Sequence, residues 1–194
     1  MLQESPFLPL SDSTKRAMKE TERHLKELGY KVVPFFLTDE VWDQGRDYMY
    51  AVLSNGYLDG TIRDLESEGE TLMENSKLAV ALFKSGPIAR GLINFALKYL
   101  MNRGRVQKAT RMFRKMSERE YEQVLKKRHD FIHQVSQKWQ KSNLSALIAP
   151  VFPHCAFKRE HADELSSLLE YTFIWNVLNF PCGVLPITRV EPEE

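Results

Sequence analysis

The feature that most constrains this chain of 194 residues is the stretch 75–117, which contains ten lysines and arginines and no aspartate or glutamate. All 26 acids of the chain lie outside it, together with 17 bases. The stretch therefore has a formal charge of +10 and the remainder a charge of −9, although the net charge of the chain is only +1. Charges separated by sign in this way require a structural or functional reason.

An amphipathic helix is predicted inside this stretch, over residues 86–102. At about 100° per residue, its apolar side chains fill an arc of roughly 200°, which is wider than one ordinary core face needs. A polar line at i, i+4 spacing runs through Arg90, Asn94, Lys98 and Asn102. The apolar arc consists of Ile88, Ala89, Leu92, Ile93, Phe95, Ala96, Leu97, Tyr99 and Leu100.

Two interpretations of this helix follow from its periodicity. It is either a wide helix facing the protein core, or a helix lying on a membrane with its apolar face in the acyl boundary and its bases toward the headgroups. In the second case, roughly eight or nine apolar side chains contribute on the order of 10 kcal/mol. Roughly five or six bases near anionic lipid contribute about 5 kcal/mol at most. Burial would therefore dominate, and salt would release the protein only in part.

The bulk composition is that of an ordinary globular protein, with 43% hydrophobic and 27% charged residues. No run approaches the roughly 20 apolar residues of a membrane span. The first ten residues lack the basic region and apolar core of a signal peptide. Cys155 and Cys182 lack metal-ligand spacing and are interpreted as reduced thiols of a cytosolic protein, with a lone disulfide as the alternative. We predict no cofactor.

Hydrophobic periodicity predicts a helix-rich α/β chain. Three short strands are expected at residues 30–36, 144–152 and 184–190. The first helix is expected from Ser11 to about Leu28, with Gly29 after the C-cap, and the second from Thr38 or Asp39 to a turn at Ser54-Asn55-Gly56, with another turn at Asp59-Gly60. Further helices are expected from about residue 69 to 83 and across the amphipathic segment to Gly104. The last two are expected from Ser117 to about Lys141 and from about residue 163 to Leu178.

Two motifs suggest chemistry that the rest of the sequence does not support. His129, Asp130 and His133 give the i, i+4 histidine spacing of zinc hydrolases, but with Asp in place of Glu and without an apparent third ligand. A basic run could face nucleic acid, but it lacks interleaved aromatic residues, so we predict no nucleic-acid partner. The run consists of Arg103, Arg105, Lys108, Arg111, Arg114 and Lys115.

Four groups of residues, in this order and spacing, carry a family resemblance. The last is the most specific of them. They are Leu25-x-x-Leu28-Gly29-Tyr30 leading to Pro34-Phe35; Val52-Leu53-Ser54-Asn55-Gly56; Trp139-x-x-x-Asn143-Leu144-x-x-Leu147-Ile148-Ala149-Pro150; and Tyr171-Thr172-x-x-x-Asn176-x-x-Asn179-Phe180-Pro181-Cys182-Gly183-Val184-x-Pro186-Ile187-Thr188.

Along nearly its whole length the chain resembles the fatty acid amide hydrolases of the amidase-signature family. The resemblance implies a partial amidase-signature fold, with helices packed on a fragment of a mixed sheet, and one partial domain over residues 1–194. It implies that the segment at about 75–117 is a membrane-binding cap beside an acyl-chain channel. By the same resemblance, Leu169 and Phe173 line that channel, joined by Tyr57 or Leu58, although ordinary core packing explains Leu169 and Phe173 as well.

The chemistry departs from the family. Its catalysts are a lysine, a bridging serine and a nucleophilic serine, with oxyanion donors from a glycine- and serine-rich segment. This sequence contains neither Gly-Gly nor Gly-Ser-Ser, and no serine lies in a G-x-S-x-G motif. None of the catalysts can be assigned, so the chain resembles the C-terminal half of such an enzyme and is expected to be inactive alone.

The function expected from the sequence is therefore the cap-and-channel part of a membrane-associated serine amidase acting on fatty acid amides. Its expected location is the cytoplasmic face of an intracellular membrane, as a peripheral or monotopic protein. The alternative is a non-enzymatic module that uses the amphipathic helix to bind a partner protein or to form a homodimer.

Overall fold

A computed structural model of the chain describes residues 1–5, 8–70, 80–100, 111–158 and 169–191, with the side chains of Asp59 and Leu97 left out. The chain divides into two compact units. Unit 1 comprises Met1–Trp42 and Ile132–Glu194, and unit 2 comprises Asp43–Phe131. A single partial domain over residues 1–194 stays a prediction, and each unit is described by itself.

The described residues are mainly helical. Two short π-helical segments, at Leu53–Leu58 and Ala96–Leu100, each continue an α-helix directly. Residues 80–84 are also helical. The α-helices are α1 (Asp12–Glu27), α2 (Asp39–Val52), α3 (Asp59–Ser67), α4 (Pro87–Phe95), α5 (Glu118–Lys141) and α6 (Glu170–Leu178).

Helix α1 begins and ends at the residues that its sequence indicates. The Ser11 hydroxyl accepts a hydrogen bond from the Thr14 N–H at 3.3 Å, which satisfies one of the free donors of the first turn. At the other end Leu28 is the C-cap and Gly29 has a φ of +85°, a left-handed conformation that costs glycine little. The predicted bounds of this helix are confirmed.

Helix α5 also begins as predicted. The Ser117 hydroxyl accepts from the Glu120 N–H at 3.3 Å, as in a capping box. The Glu120 carboxylate accepts from the Arg114 guanidinium at 3.0 Å, and a hydrogen bond from the Ser117 backbone helps to lower its pKa. At the end of α6, Asn179 has a φ of +56° and ends the helix after Leu178, as predicted. Residues 159–168, where that helix is predicted to begin, lie outside the described residues.

The turn predicted at Ser54-Asn55-Gly56 is wrong, because α2 continues through the π-helical segment into α3. The Ser54 hydroxyl donates to the Tyr50 carbonyl at 2.6 Å, and the Asn55 amide donates to the Ala51 carbonyl at 3.0 Å. These side chains satisfy backbone acceptors that the wider π turn displaces, so the helix persists. The second turn predicted at Asp59-Gly60 is wrong for the same reason, since both residues begin α3.

The described residues form no regular strand in the three predicted segments. A parallel bridge joins Leu2 to Phe35, whose N–H donates to the Met1 carbonyl at 2.8 Å. The Leu2 N–H donates to the Ile148 carbonyl at 2.8 Å. Leu2 therefore connects the segments 30–36 and 144–152, while residues 184–190 are exposed. A partial mixed sheet stays a prediction.

The core of unit 1 is organised around Tyr171, whose side chain is fully buried. Its hydroxyl accepts from the Ser5 N–H and donates to the Leu8 carbonyl, both at 2.8 Å. Its ring meets Trp42 edge to face at 5.6 Å between centroids. Burial raises the pKa of Tyr171 to about 12. One side chain thus fastens the N-terminal arm to α6.

Unit 2 has a separate small core of buried apolar side chains from α3 and the helical residues 80–84. Phe83 contacts Phe113 at 6.2 Å between ring centroids, which joins the helical residues 80–84 to the segment that precedes α5. This core is formed by Ile62, Val80 and Phe83, with Leu58 and Phe113 packed against it.

We expect Tyr171→Phe to lower the free energy of unfolding by about 1–3 kcal/mol, because the buried Ser5 N–H and the Leu8 carbonyl lose their partner. Urea denaturation at neutral pH measures the difference. Tyr57→Phe is the control, since Tyr57 is 66% exposed, and is expected to change nothing measurable. Equal effects of the two substitutions would contradict the assigned role.

The same contact predicts a dependence on alkaline pH. Because the pKa of Tyr171 is raised from 10.0 to about 12 in the folded protein, its contribution is complete below pH 10 and is lost as the pH rises toward 12. The stability advantage of the wild type over Tyr171→Phe should therefore shrink across this range. An advantage that stayed constant from pH 9 to 12 would contradict the raised pKa.

Candidate functional site

Helix α4 begins within the segment 86–102 that the sequence predicts to be an amphipathic helix. Gly86 is the N-cap in an extended conformation, and Pro87 occupies the first helical turn, where its missing N–H costs nothing. The helix runs to Phe95 and continues as the π-helical segment to Leu100. The amphipathic helix is confirmed over residues 87–100, and its predicted last residues, together with Gly104, lie outside the described residues.

The apolar side of α4 faces outward. Ile88 is 82% exposed, Leu92 67%, Phe95 55% and Tyr99 63%, and no described residue of α4 is buried. We name these four side chains, which recur at i, i+4, i+7 and i+11, the apolar stripe. Leu100 beside it is 75% exposed. A soluble protein rarely exposes a contiguous apolar patch without a partner for it.

The other side chains that the sequence predicts to bind the membrane differ from one another in exposure. Ile93 is half-buried, Lys98 is exposed, and the side chain of Leu97 lies outside the described residues. The Lys98 ammonium lies 5.0 Å from the centre of the Tyr99 ring, within cation–π range. An exposed lysine beside the apolar stripe has the position that a headgroup contact requires.

For Arg90 the structure differs from the sequence expectation of a base directed at headgroups. The Arg90 guanidinium turns inward and donates to the Phe113 carbonyl at 3.0 Å, to the Ser85 hydroxyl at 3.3 Å and to the Leu82 carbonyl. Burial, with a smaller effect of nearby Arg114, lowers its pKa from the ordinary value. The helix thus directs Arg90 at the protein, while Ile88 and Leu92 on its other side face solvent.

Several bases of the acid-free stretch are paired with acids from outside it. The Arg111 guanidinium donates to both carboxylate oxygens of Asp47, at 2.8 and 2.9 Å. The Lys84 ammonium lies 2.9 Å from the Glu66 carboxylate. Hydrogen bonding to Asp47 raises the pKa of Arg111. Part of the separated charge is therefore neutralised within unit 2.

The pairing of Arg114 with Glu120 has the same effect at the start of α5. Hydrogen bonding to Glu120 raises the pKa of Arg114, and hydrogen bonding to Arg114 lowers the pKa of Glu120. Arg111 and Arg114 belong to the basic run that the sequence weighed as a nucleic-acid surface. Both guanidinium groups are held by carboxylates, which reduces what that run can offer to phosphates.

The segment that leads into α5 is clamped by Asn55. The Asn55 amide donates to the Arg114 carbonyl at 2.9 Å, and its oxygen accepts from the Met116 N–H at 2.7 Å. Ser54 lies beside it, fully buried. These contacts fix the segment between the basic stretch and α5 from both sides. From the sequence, Asn55 is predicted to form a turn, and nothing near it in the chain indicates these contacts.

The four predicted channel residues fall into two pairs. Leu169 is 38% exposed at the N-cap of α6, and Phe173 is half-buried on the same helix in unit 1. Tyr57 is 66% exposed in the π-helical segment of unit 2, and Leu58 packs against that unit's core. The two pairs thus belong to different units. Their role as channel lining stays a prediction.

Unit 1 contains two grooves that the sequence analysis did not predict. The first, of about 220 Å³, lies along the α6 side that carries Thr172, Trp175 and Asn176. The i, i+3, i+4 spacing of these residues is the signal that could have indicated it. The second, of about 300 Å³, lies between α1 and residues 183–190. Trp139 and Phe180, at 5.5 Å between ring centroids, meet at the first groove.

The two histidines of the zinc-hydrolase hypothesis are both exposed on α5. The His133 Nε2 atom lies 2.9 Å from the Gln137 amide nitrogen. Within the described ranges, no three His, Cys, Asp or Glu side chains converge as a metal site. Nothing in the geometry therefore adds a third ligand to His129 and His133.

Comparison with known proteins finds distant similarity over most of the chain. The chain is 24% identical over 186 residues to fatty-acid amide hydrolase 1 of Sus scrofa, an alignment that covers 93% of this chain and 30% of that protein. The chain thus spans less than a third of that relative's length. No protein-family model matches the chain. This partial similarity supports an origin among the amidases at a coarse level.

Among the residues that the structure describes, each helix is too short or too polar to cross a bilayer.

We expect Asn55→Ala to release the Arg111–Met116 segment. The substitution removes the acceptor of the Met116 N–H and the Asn55 donor to the Arg114 carbonyl, which still accepts from the Ser54 hydroxyl at 3.5 Å. About 1–3 kcal/mol of stability should be lost with these contacts. Limited trypsin digestion should then cut faster after Arg111, Arg114 or Lys115. Gln123→Ala, an exposed amide on α5, is the matched control. Identical cleavage of the two variants would rule out the clamp.

Proposed function

We propose that this chain provides the membrane-facing and acyl-channel part of a serine amidase that hydrolyses fatty acid amides. One observation carries the membrane part: the apolar stripe of α4 faces solvent while Arg90 faces the protein. The distant similarity to fatty-acid amide hydrolase 1 supports the substrate class. The proposal includes a partial amidase-signature fold for the two units.

The energetics favour insertion of the stripe over attraction of charges. Each of its four side chains is more than half exposed, and at about 1–2 kcal/mol each their burial would contribute about 4–8 kcal/mol. Six bases of the acid-free stretch lie in the described residues, and three of them, Lys84, Arg111 and Arg114, are paired with carboxylates. Electrostatic attraction to anionic lipid is therefore weaker than the formal charge suggests.

A helix that lies in the interface with its apolar face down suits delivery of a lipid amide, because the acyl chain can pass from the bilayer into protein without crossing water. Leu169 and Phe173, with Tyr57 or Leu58, are the proposed channel lining. The proposed location is the cytoplasmic face of an intracellular membrane, as a peripheral or monotopic protein. The chain would hold substrate rather than cleave it, since its sequence lacks Gly-Gly and Gly-Ser-Ser.

We expect Leu92→Asp to weaken binding to neutral phosphatidylcholine vesicles at least tenfold, which corresponds to about 1.4 kcal/mol. The substitution removes apolar burial and adds a charge that resists insertion. Leu28→Asp is the matched control, because Leu28 is 74% exposed at the C-cap of α1 and Leu92 is 67% exposed on α4. Flotation at high salt measures both variants. If the wild type fails to float, or if both variants lose binding equally, the membrane role of α4 is wrong.

We expect the purified chain of 194 residues to release no fatty acid from an oleoyl amide above a no-protein control. The physical reason is the missing oxyanion segment and the unassigned nucleophile. Product analysis by mass spectrometry gives the measurement, and Leu92→Asp serves as a second baseline. Turnover by the wild type would show that catalysts reside in this chain and would overturn this part of the proposal.

A second candidate is a non-enzymatic module that docks a partner protein or a second copy through the same apolar stripe. The exposure of the stripe favours it as well, because apolar aromatic and aliphatic anchors are typical of interface centres. Sedimentation in the absence of lipid separates the two. A concentration-dependent dimer that Leu92→Asp abolishes supports this candidate, whereas a monomer that floats with vesicles supports the membrane cap.

A further inference from the structure

The contacts of Arg90 join three separate parts of unit 2. Leu82 and Ser85 lie at the end of the helical residues 80–84 and in the corner before α4, and Phe113 lies beyond α4 in the chain. The guanidinium donates to an oxygen of each of these residues. The planar fork of arginine suits several acceptors at once, whereas lysine presents a single point charge.

These contacts also meet a requirement of the neighbouring backbone. The Leu82 carbonyl is among the last carbonyls of the helical residues 80–84, which have no partner further along that helix. A charged donor supplies a hydrogen bond to it that is roughly twice as strong as a neutral one. The Leu82 carbonyl also accepts from the Ser85 N–H at 3.3 Å and from the Ser85 hydroxyl at 2.7 Å. Breaking the Arg90 contacts would therefore cost most at the guanidinium, a partly buried charge that would lose its acceptors.

The geometry of a helix links Arg90 to the opposite side of α4. At about 100° per residue, Arg90 lies roughly 200° from Ile88 and from Leu92, so these side chains project in nearly opposite directions. If the guanidinium is held against the protein, Ile88 and Leu92 must point away from it. Hydrophobicity alone would favour the reverse rotation, with the apolar side toward the core.

We propose that Arg90 is a positioning residue that sets the rotation of α4 and thereby keeps the apolar stripe directed at a lipid surface. Arg90 does not contact headgroups in this role; it acts through the Leu82, Ser85 and Phe113 oxygens. The inference rests on the proposed membrane function for its purpose, but the rotation itself is measured without lipid.

The first test is vesicle binding by the full chain. Arg90→Met removes a charge and makes α4 more apolar, so a helix bound by hydrophobicity alone would bind neutral vesicles as tightly as before or more tightly. If Arg90 sets the rotation, binding falls at least fivefold. Arg119→Met, which removes one exposed charge from α5, is the matched control and should bind like the wild type. Unchanged or tighter binding of Arg90→Met would overturn the proposal.

The second test measures the rotation directly. Leu92→Cys and Asn94→Cys are each introduced into a chain in which Cys155 and Cys182 are serine, and reaction with a water-soluble maleimide is timed without lipid. Leu92 is 67% exposed and Asn94 half-buried, so position 92 should react several-fold faster. Arg90→Met should bring the two rates together by slowing position 92. General unfolding would instead speed both, and an unchanged ratio overturns the proposal.

Two further results complete the decision. If Arg90→Met loses helicity by circular dichroism, Arg90→Lys takes its place. Lys can keep one of the three contacts, so an intermediate rate ratio supports the proposal and a wild-type ratio overturns it. If the wild type binds no vesicles while the rate ratio still depends on Arg90, the rotation is established and the membrane function fails instead.

Discussion

The orientation of α4 depends on the hydrogen bonds that the partly buried Arg90 guanidinium makes with oxygens of unit 2. A partly desolvated arginine is tolerated only where oxygens surround it, and the Phe113 and Leu82 carbonyls with the Ser85 hydroxyl supply them. Side chains keep fixed angular positions around a helix. When the Arg90 guanidinium faces its acceptors, the four side chains of the apolar stripe therefore face solvent. The protein thereby keeps an apolar surface that only a lipid or protein partner can cover.

The charge separation of the sequence has a simpler meaning in the folded chain than a count implies. Bases of the acid-free stretch reach acids such as Asp47 and Glu120, which lie before and after it in unit 2. Such pairs hold segments together but contribute little to a long-range field, since each charge is screened by its partner. The acid-free basic stretch is thus explained in part by ion pairs with acids elsewhere in unit 2.

Features set by neighbouring residues were predictable, whereas those set by distant ones were not. The Ser11 cap, the Gly29 end of α1 and the Pro87 start of α4 each depend on a few adjacent residues. Asn55 fails as a turn because its side chain binds Arg114 and Met116, about 60 positions away in the chain. The inward orientation of Arg90 likewise depends on a residue distant in the chain, Phe113. The periodicity of the sequence therefore predicted the apolar stripe but not whether it faces the protein or the solvent.

The two hydrogen bonds of the Tyr171 hydroxyl, with Ser5 and Leu8, also depend on the order in which the chain is synthesised. Unit 2, Asp43–Phe131, is one continuous segment, whereas unit 1 is assembled from Met1–Trp42 and the residues after 131. A ribosome that makes the chain from its N-terminus releases unit 2 whole, while the N-terminal arm still lacks the hydroxyl that holds Ser5 and Leu8. Some 160 residues separate Ser5 and Leu8 from Tyr171, so their hydrogen bonds with its hydroxyl form only after that much more of the chain has been synthesised. Tyr171 of α6 therefore decides when Ser5 and Leu8 gain the hydroxyl that holds them.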